Sequence, residues 1–422
     1  MKIVIKPKVT LLTCIHVMYW LFTPLESAIA VVADRSIATT TLNLLMLTLL
    51  VVYFTLSRSR EHLGAYFMLY AAIALLIGVT ILIHPEYSSW YSHRQYGITH
   101  MILELGGGIW AFLIIGLYHD EEKLLRDLKL ITVLVFLVYL LKFIGAMIRG
   151  YWIIGDSHMS YDMTFGFRML FVTAFWGAMG LHREKKYLAF YFVGLLLILM
   201  GGSRGAFVWA LFLFVANIPF RFASLSVRQR RGVILLLLVI LPVAYFVYQY
   251  SDRLIILIGN GLRALGISSR TVRSMALGSI ARENGRNIIY EMSGELIRTG
   301  GPFGRGFYGD RPTIGQRFYW GYSHNIFLEL MVTFGYVGGA VLSVLLVIGC
   351  VKLYKKTNTP TRRTIFLTFF VNSLLLLTSN SFWYESSFWA MLALMAFWKR
   401  GFELEQNGLN GRLRLHRPEP GG

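Results

Sequence analysis

Cysteine occurs only twice in this chain of 422 residues, at Cys14 and Cys350, and both lie inside apolar runs. Such a pair supports neither a disulfide framework nor a cysteine zinc cluster. Charge is scarce too: 15% of residues are charged, against about a quarter in an ordinary soluble domain. The chain lacks a GxxxxGK[ST] phosphate loop, an HExxH helix and a DxD pair. P-loop, zinc-protease and metal-nucleotide chemistries are thereby set aside.

Hydrophobic side chains are abundant instead, at 56%. They gather in apolar runs near residues 9–33, 37–56, 63–83, 97–118, 130–148, 163–181, 187–202, 205–220, 233–250, 324–350, 364–379 and 382–398. Runs of this length read as membrane spans, so the chain is expected to be an all-α polytopic membrane protein with about twelve transmembrane helices. The first run has no small-residue cleavage site and is read as a retained span. A net charge of +19 would suggest nucleic acid in a soluble protein. Here the basic residues sit in short clusters between apolar runs, where they set topology and meet anionic lipid, so no nucleic-acid partner is expected.

Alternate connections collect these clusters, among them Lys2/Lys6/Lys8, Arg58/Arg60, Lys123/Arg126/Lys129 and Arg228/Arg230/Arg231. The positive-inside rule makes them cytoplasmic, together with both termini. The opposite connections, including 84–96, 149–162 and 201–205, face outward. The chain then divides into nine spans over 1–250, an extracytoplasmic loop over 251–322, three spans over 323–398 and a polar cytoplasmic tail over 399–422 that reads as disordered.

The outer loop 251–322 carries ten arginines and no lysine. Guanidinium groups are permanently charged, planar forks that match phosphate oxygens two at a time. Within the loop, 286–299 reads as an amphipathic helix, which places Arg282 and Arg286 four residues apart near a helix N-terminus. Arg204 stands among glycines where two short spans meet. His324 lies at the mouth of the next span with Tyr319, Trp320 and Tyr322 before it and Asn325 and Glu329 after; a neutral imidazole there suits a general base. Structural readings stand beside each of these. Arg204 can snorkel to headgroups, and Arg282 and Arg286 can pair with Glu283 and Glu291. The other loop arginines, Arg305 and Arg311 among them, can be supports. His84, His93, His100 and His158 rival His324.

Several pieces together resemble the O-antigen ligase and O-antigen polymerase superfamily of bacterial envelope enzymes. They are Gly202-Ser203-Arg204-Gly205, Gly285-Arg286 with Tyr290, Pro302-Phe303-Gly304-Arg305-Gly306, and Ser323-His324-Asn325-Ile326-Phe327-Leu328-Glu329 followed by Phe334-Gly335-Tyr336-Val337-Gly338. They span about residues 187–350, in a fairly specific order; Asn284 stands where many relatives have serine. The resemblance implies a GT-C-like helical enzyme in the bacterial inner membrane. Such an enzyme takes an oligosaccharide from undecaprenyl diphosphate on the outer face, without metal or other cofactor. The acceptor would be a lipid-linked repeat unit or a lipid A core sugar. Arg204 and Arg286, with Arg282, would hold the diphosphate, and His324 would be the base or orient the acceptor. Tyr290, Arg305, Tyr322 and Asn325 would contact sugar or acceptor. The alternative from a different class is a transporter or flippase of polyanionic lipid-linked glycans; a third is a non-catalytic scaffold.

Overall fold

The computed structural model describes residues 10–30, 32–57, 63–92, 97–98, 104–149, 152–154, 157–159, 162–201, 203–224, 227, 231, 251–266, 285–318 and 321–398. The apolar run 233–250, His93, His100, Arg282, Tyr319, Trp320 and the tail 399–422 lie outside these residues.

The helices are Leu11–Ile29 (α1), Arg35–Ser57 (α2), Leu63–Ile83 (α3), Ser88–Tyr91 (α4), Trp110–Gly116 (α5), Glu121–Arg149 (α6), Met163–His182 (α7), Tyr187–Gly201 (α8), Arg204–Ser224 (α9), Ser251–Ala264 (α10), Arg286–Gly300 (α11), Arg311–Ile314 (α12), Ile326–Lys355 (α13), Pro360–Ser373 (α14) and Ser386–Phe397 (α15). One short antiparallel hairpin, Trp152–Ile154 (β1) with Ser157–Met159 (β2), falls in the connection 149–162, where no strand is predicted. Among the described residues α2, α3, α6, α7 and α13 are long and apolar enough to cross a membrane. The protein is an α-helical membrane protein. Its exposed apolar side chains on α2 and α3, such as Leu45, Val51, Phe67 and Leu82, suit a lipid solvent.

Several boundaries differ from the apolar runs. Helix α6 starts nine residues before the run 130–148, because its first two turns are amphipathic and pack on the protein. The stretch 97–118 does not make one helix: in its described part the chain turns through Gly106-Gly107-Gly108, and only α5 is α-helical over 104–118. Three consecutive glycines cost a helix too much backbone entropy. The turn is fastened instead by Asn43, whose Oδ1 accepts from Leu105 N at 2.8 Å, and by the Tyr19 hydroxyl, which donates to Gly107 O at 3.1 Å. Helix α15 has twelve residues, about 18 Å, short of a full crossing.

Contacts divide the chain into two units, Met1–Ile131 with Ile289–Arg362 and Asn380–Gly422, and Thr132–Ile288 with Arg363–Ser379. In the first, α1 packs on α2 and α5 packs on α15. A buried chain of hydrogen bonds ties α1 to α6. Trp20 Nε1 donates to His16 Nε2 at 3.0 Å, which fixes the imidazole proton on Nδ1. His16 Nδ1 then donates to the Tyr118 hydroxyl at 2.8 Å, and Tyr118 and Thr13 both donate to Asp127. Every member has a partner, as buried polar groups require.

In the second unit α7 is the core helix, packed against α8 and α9. Asp162 starts it: Oδ1 accepts from Phe165 N at 3.1 Å, and Oδ2 takes the Lys142 ammonium at 2.6 Å. Helix α8 ends at Gly201 and α9 opens at Arg204, the break expected there. Helix α10, Ser251–Ala264, is a second amphipathic helix in the stretch 251–322, and it leaves Leu257 and Ile258 exposed.

Candidate functional site

The loop after α11 is held against α13 by an exchange of backbone hydrogen bonds. Inside α13, Gly335 has φ 75° and ψ 172°, a conformation other residues rarely adopt, and the helix ladder breaks there. Tyr336 N turns away from the ladder and donates to Gly301 O at 3.3 Å. The freed carbonyls of Val332 and Thr333 accept from Arg305 N at 2.8 Å and Gly306 N at 3.0 Å. Gly304 has φ 75°, and a side chain there or at Gly335 would overlap the opposing backbone. Two of the short motifs, 302–306 and 334–338, are therefore the two sides of one junction.

Beyond that junction the loop buries charge. Arg311, the first residue of α12, is 1% exposed and shared by two buried carboxylates. Its Nη1 donates to Asp310 Oδ1 at 2.5 Å and its Nη2 to Glu329 Oε1 at 3.2 Å, with Ser381 Oγ at 3.0 Å. The carboxylates have further donors. Ser323 N and Oγ both give to Asp310 Oδ2 at 2.9 Å, while Glu329 accepts from Ser381 Oγ and from Phe382 N. The rings of Tyr308 and Tyr322 lie 4.6 and 5.3 Å from the guanidinium carbon.

Burial alone would lower the Arg311 pKa, but Asp310 and Glu329 outweigh it and hold the group above its ordinary range. Burial pushes Tyr384 up to about 12 and Tyr308 well above its usual value, and their two hydroxyls hydrogen-bond as neutral groups. This is a preformed ionic core.

That core presents His324. Ser323 is tied to Asp310, and Asn325 caps α13, its Oδ1 accepting from Phe327 N at 3.0 Å and Leu328 N at 3.3 Å. Between these two anchors His324 has φ 52°, in the left-handed region that is uncommon outside glycine. Its ring is half-buried against buried Tyr322, with centroids 4.3 Å apart. A side chain fixed on both flanks loses little freedom on engaging a ligand.

The other predicted residues have varied settings. Arg305 Nη2 donates to Thr299 Oγ1 at 2.7 Å and Nε to Leu296 O at 3.4 Å, so its cation sits at the C-terminal end of α11, where the helix dipole favours it. Tyr290 packs on the apolar cluster of Ile289, Leu296, Ile314 and Val332. Arg286 is half-buried and opens α11 directly after Gly285, whose φ is 71°. Helix α11 begins at Arg286, and Arg282 lies outside the described residues. Arg204 opens α9 after buried Ser203, with Gly205 near Thr378 and Trp209 Nε1 donating to Thr378 Oγ1 at 3.0 Å. Arg204 and Arg286 belong to the second unit, His324 to the first.

Nothing local in the sequence marks Arg311 among the ten loop arginines. The one signal is Glu329, a carboxylate in the first turns of an apolar helix, which calls for a cation or a donor set without saying which. Among the described residues, no three His, Cys, Asp or Glu side chains gather as a metal site. Compared with known proteins, the chain matches no family model and no curated protein.

Proposed function

We propose that this protein is an integral-membrane glycosyltransferase of the O-antigen ligase and polymerase kind, working on lipid-diphosphate-linked oligosaccharide. The observation that supports this most is the presentation of His324, fixed between Ser323 and the cap residue Asn325 at the end of an arginine-rich, lysine-free loop. In this reading about twelve spans in a GT-C-like arrangement carry the loop on the outer face of the bacterial inner membrane, with both termini cytoplasmic. The donor is undecaprenyl-diphosphate-linked oligosaccharide. The acceptor is a second lipid-linked repeat unit, favoured over a lipid A core sugar.

The chemistry is a displacement at the anomeric carbon. An acceptor hydroxyl gives its proton to the His324 imidazole as its oxygen bonds the anomeric carbon. The bond from that carbon to the diphosphate oxygen breaks, and the diphosphate leaves with the electron pair. Arg204 and Arg286, with Arg282, hold the charge that builds on it; groups placed for developing charge lower a barrier more than groups placed for the ground state. Tyr322, buried between Arg311 and His324, backs the imidazole and is not itself a sugar contact. Arg305, Tyr290 and Asn325 act from the scaffold.

The test uses purified full-length protein in vesicles with undecaprenyl-diphosphate-linked repeat units. Elongated products are expected, or transfer to an added lipid A core. His324→Ala is expected to slow transfer about 10²–10⁴-fold. Arg204→Lys, which keeps charge and loses the fork, should raise KM and lower kcat. Full activity in both variants removes the assignment of residues. No glycosyl transfer at all, with labelled lipid crossing the vesicle bilayer, replaces the enzyme by a flippase.

A further inference from the structure

Helix α13 is too long for the bilayer it crosses. Its 30 residues span about 45 Å, against roughly 30 Å of hydrocarbon. The break at Gly335 divides it into a first stretch, Ile326 to Phe334, and a second of about twenty residues, which alone is roughly 30 Å. Burial changes at the same point. Ile326, Glu329, Leu330, Val332 and Thr333 are buried in protein, whereas Tyr336, Val337, Val341, Val344, Val347 and Val351 are exposed.

The loop tip meets the helix at this boundary. Pro302 and Gly304 touch Gly335 through their backbones, so Phe303 between them is held at the height of the break. Phe303 is 89% exposed, beside a helix face that continues with Tyr336 at 51% and Val337 at 54%. Residues 300–304 (Gly-Gly-Pro-Phe-Gly) carry no charge inside a loop of ten arginines. A pinned, uncharged aromatic tip continuous with the lipid-facing side of a span has the features of an interfacial anchor.

We propose that residues 301–304 form a membrane anchor: Phe303 inserts at the hydrocarbon boundary, which crosses α13 at Gly335–Tyr336. The first turns of α13, with Glu329, then stand above the hydrocarbon as part of the loop's own core. The partner is bilayer lipid, and the inference holds whichever glycan or transport reading is right. It also brings a lipid-borne substrate and the loop to one depth.

The experiment places a nitroxide at position 303 by Phe303→Cys in a full-length Cys14→Ser/Cys350→Ser chain, reconstituted in phosphatidylethanolamine and phosphatidylglycerol vesicles. Labels at Glu295, exposed on α11, and at Val344, deep on α13, give the water and hydrocarbon references. The label at 303 is expected to relax with oxygen and to be shielded from a water-soluble nickel chelate, at a depth shallower than Val344. Nickel access equal to that at Glu295 overturns the proposal by placing the tip in water. Exclusion of both reagents overturns it as well, because protein and not lipid then covers Phe303. Position 303 is a surface site, so the substitution leaves the buried core untouched. A label at Tyr336 checks the boundary independently and should match the depth at 303.

Discussion

In the first unit the loop 301–325 is organised around ions and backbone exchanges, with Arg311 between Asp310 and Glu329 and the Gly304–Gly335 junction closing the base. The α7 to α9 region of the second unit is organised around rings and close helix contacts. Phe171 packs on Phe369, Tyr191 meets Phe214 edge-on, and Gly194 brings α8 onto Thr173. The difference is one of specificity. An apolar helix interface tolerates small shifts among many weak contacts, whereas a buried guanidinium shared by two carboxylates is held by directional bonds that small shifts break. A residue that must be held at a fixed angle, as His324 is, belongs beside the second kind of core.

The strongest way to break this contrast is Arg311→Met. It leaves Asp310 and Glu329 buried without their cation, which costs about 3–5 kcal/mol. The expected result is a large drop in thermal unfolding midpoint in detergent, or failure to accumulate in the membrane. Arg311→Met/Glu329→Gln should recover part of the loss, since one unmatched charge is removed with its partner. A single variant within a degree of wild type would show that the ionic core does not hold the loop.

Gly335→Ala comes next. A methyl group there overlaps the Pro302 carbonyl and the residue must keep φ 75°, so about 1–3 kcal/mol is expected. Gly194→Ala in the second unit crowds Thr173 and should cost a similar amount. The two should separate by protease mapping. Only Gly335→Ala is expected to open cleavage around 301–306, because only there does the clash release a loop. Equal protection in both would mean that the junction is not what seats it.

Asn325→Ala has a smaller effect on stability, about 1 kcal/mol for the lost cap. Its effect on transfer should exceed that, because His324 loses one of its two anchors. A variant whose activity falls no more than its folded fraction would reduce Asn325 to a cap and nothing more.

The helical membrane character was legible in the sequence, because apolar runs of span length have few other uses. So was the start of α11 at Arg286 and the break before Arg204, both marked by glycines. The breakdown of 97–118 was not read, although Gly106-Gly107-Gly108 signals it, because hydropathy averages over a short glycine turn between apolar residues. The importance of Arg311 was hidden for a different reason. Its partners lie at Glu329 and Ser381, and no local pattern tells which of ten arginines will fold onto a carboxylate eighteen residues away. Likewise, Gly304 and Gly335 looked like two separate motifs, since their relation is a backbone contact that side-chain chemistry does not announce.

The last test concerns the hydroxyl pair of Tyr308 and Tyr384 beside the ionic core. Both groups have folded-state pKa values above the ordinary tyrosine value of about 10, and burial pushes Tyr384 to about 12. For an acid whose folded pKa is raised, the neutral form favours folding. The contribution is whole below about pH 10 and is lost as pH rises from there through about 12. Wild-type protein should therefore lose thermal stability between pH 9 and pH 11. Tyr308→Phe/Tyr384→Phe removes both hydroxyls together, takes one acceptor from Arg311, and should cost about 1–3 kcal/mol at pH 7. Its loss between pH 9 and pH 11 should be smaller. Tyr191→Phe in the second unit removes one hydroxyl bond to the Ala210 carbonyl and serves as the baseline for losing a buried hydroxyl outside the ionic core. If the double variant and wild type lose stability in parallel above pH 9, the pair is a passive neighbour of Arg311, and the contrast between the two units narrows to the guanidinium and its carboxylates.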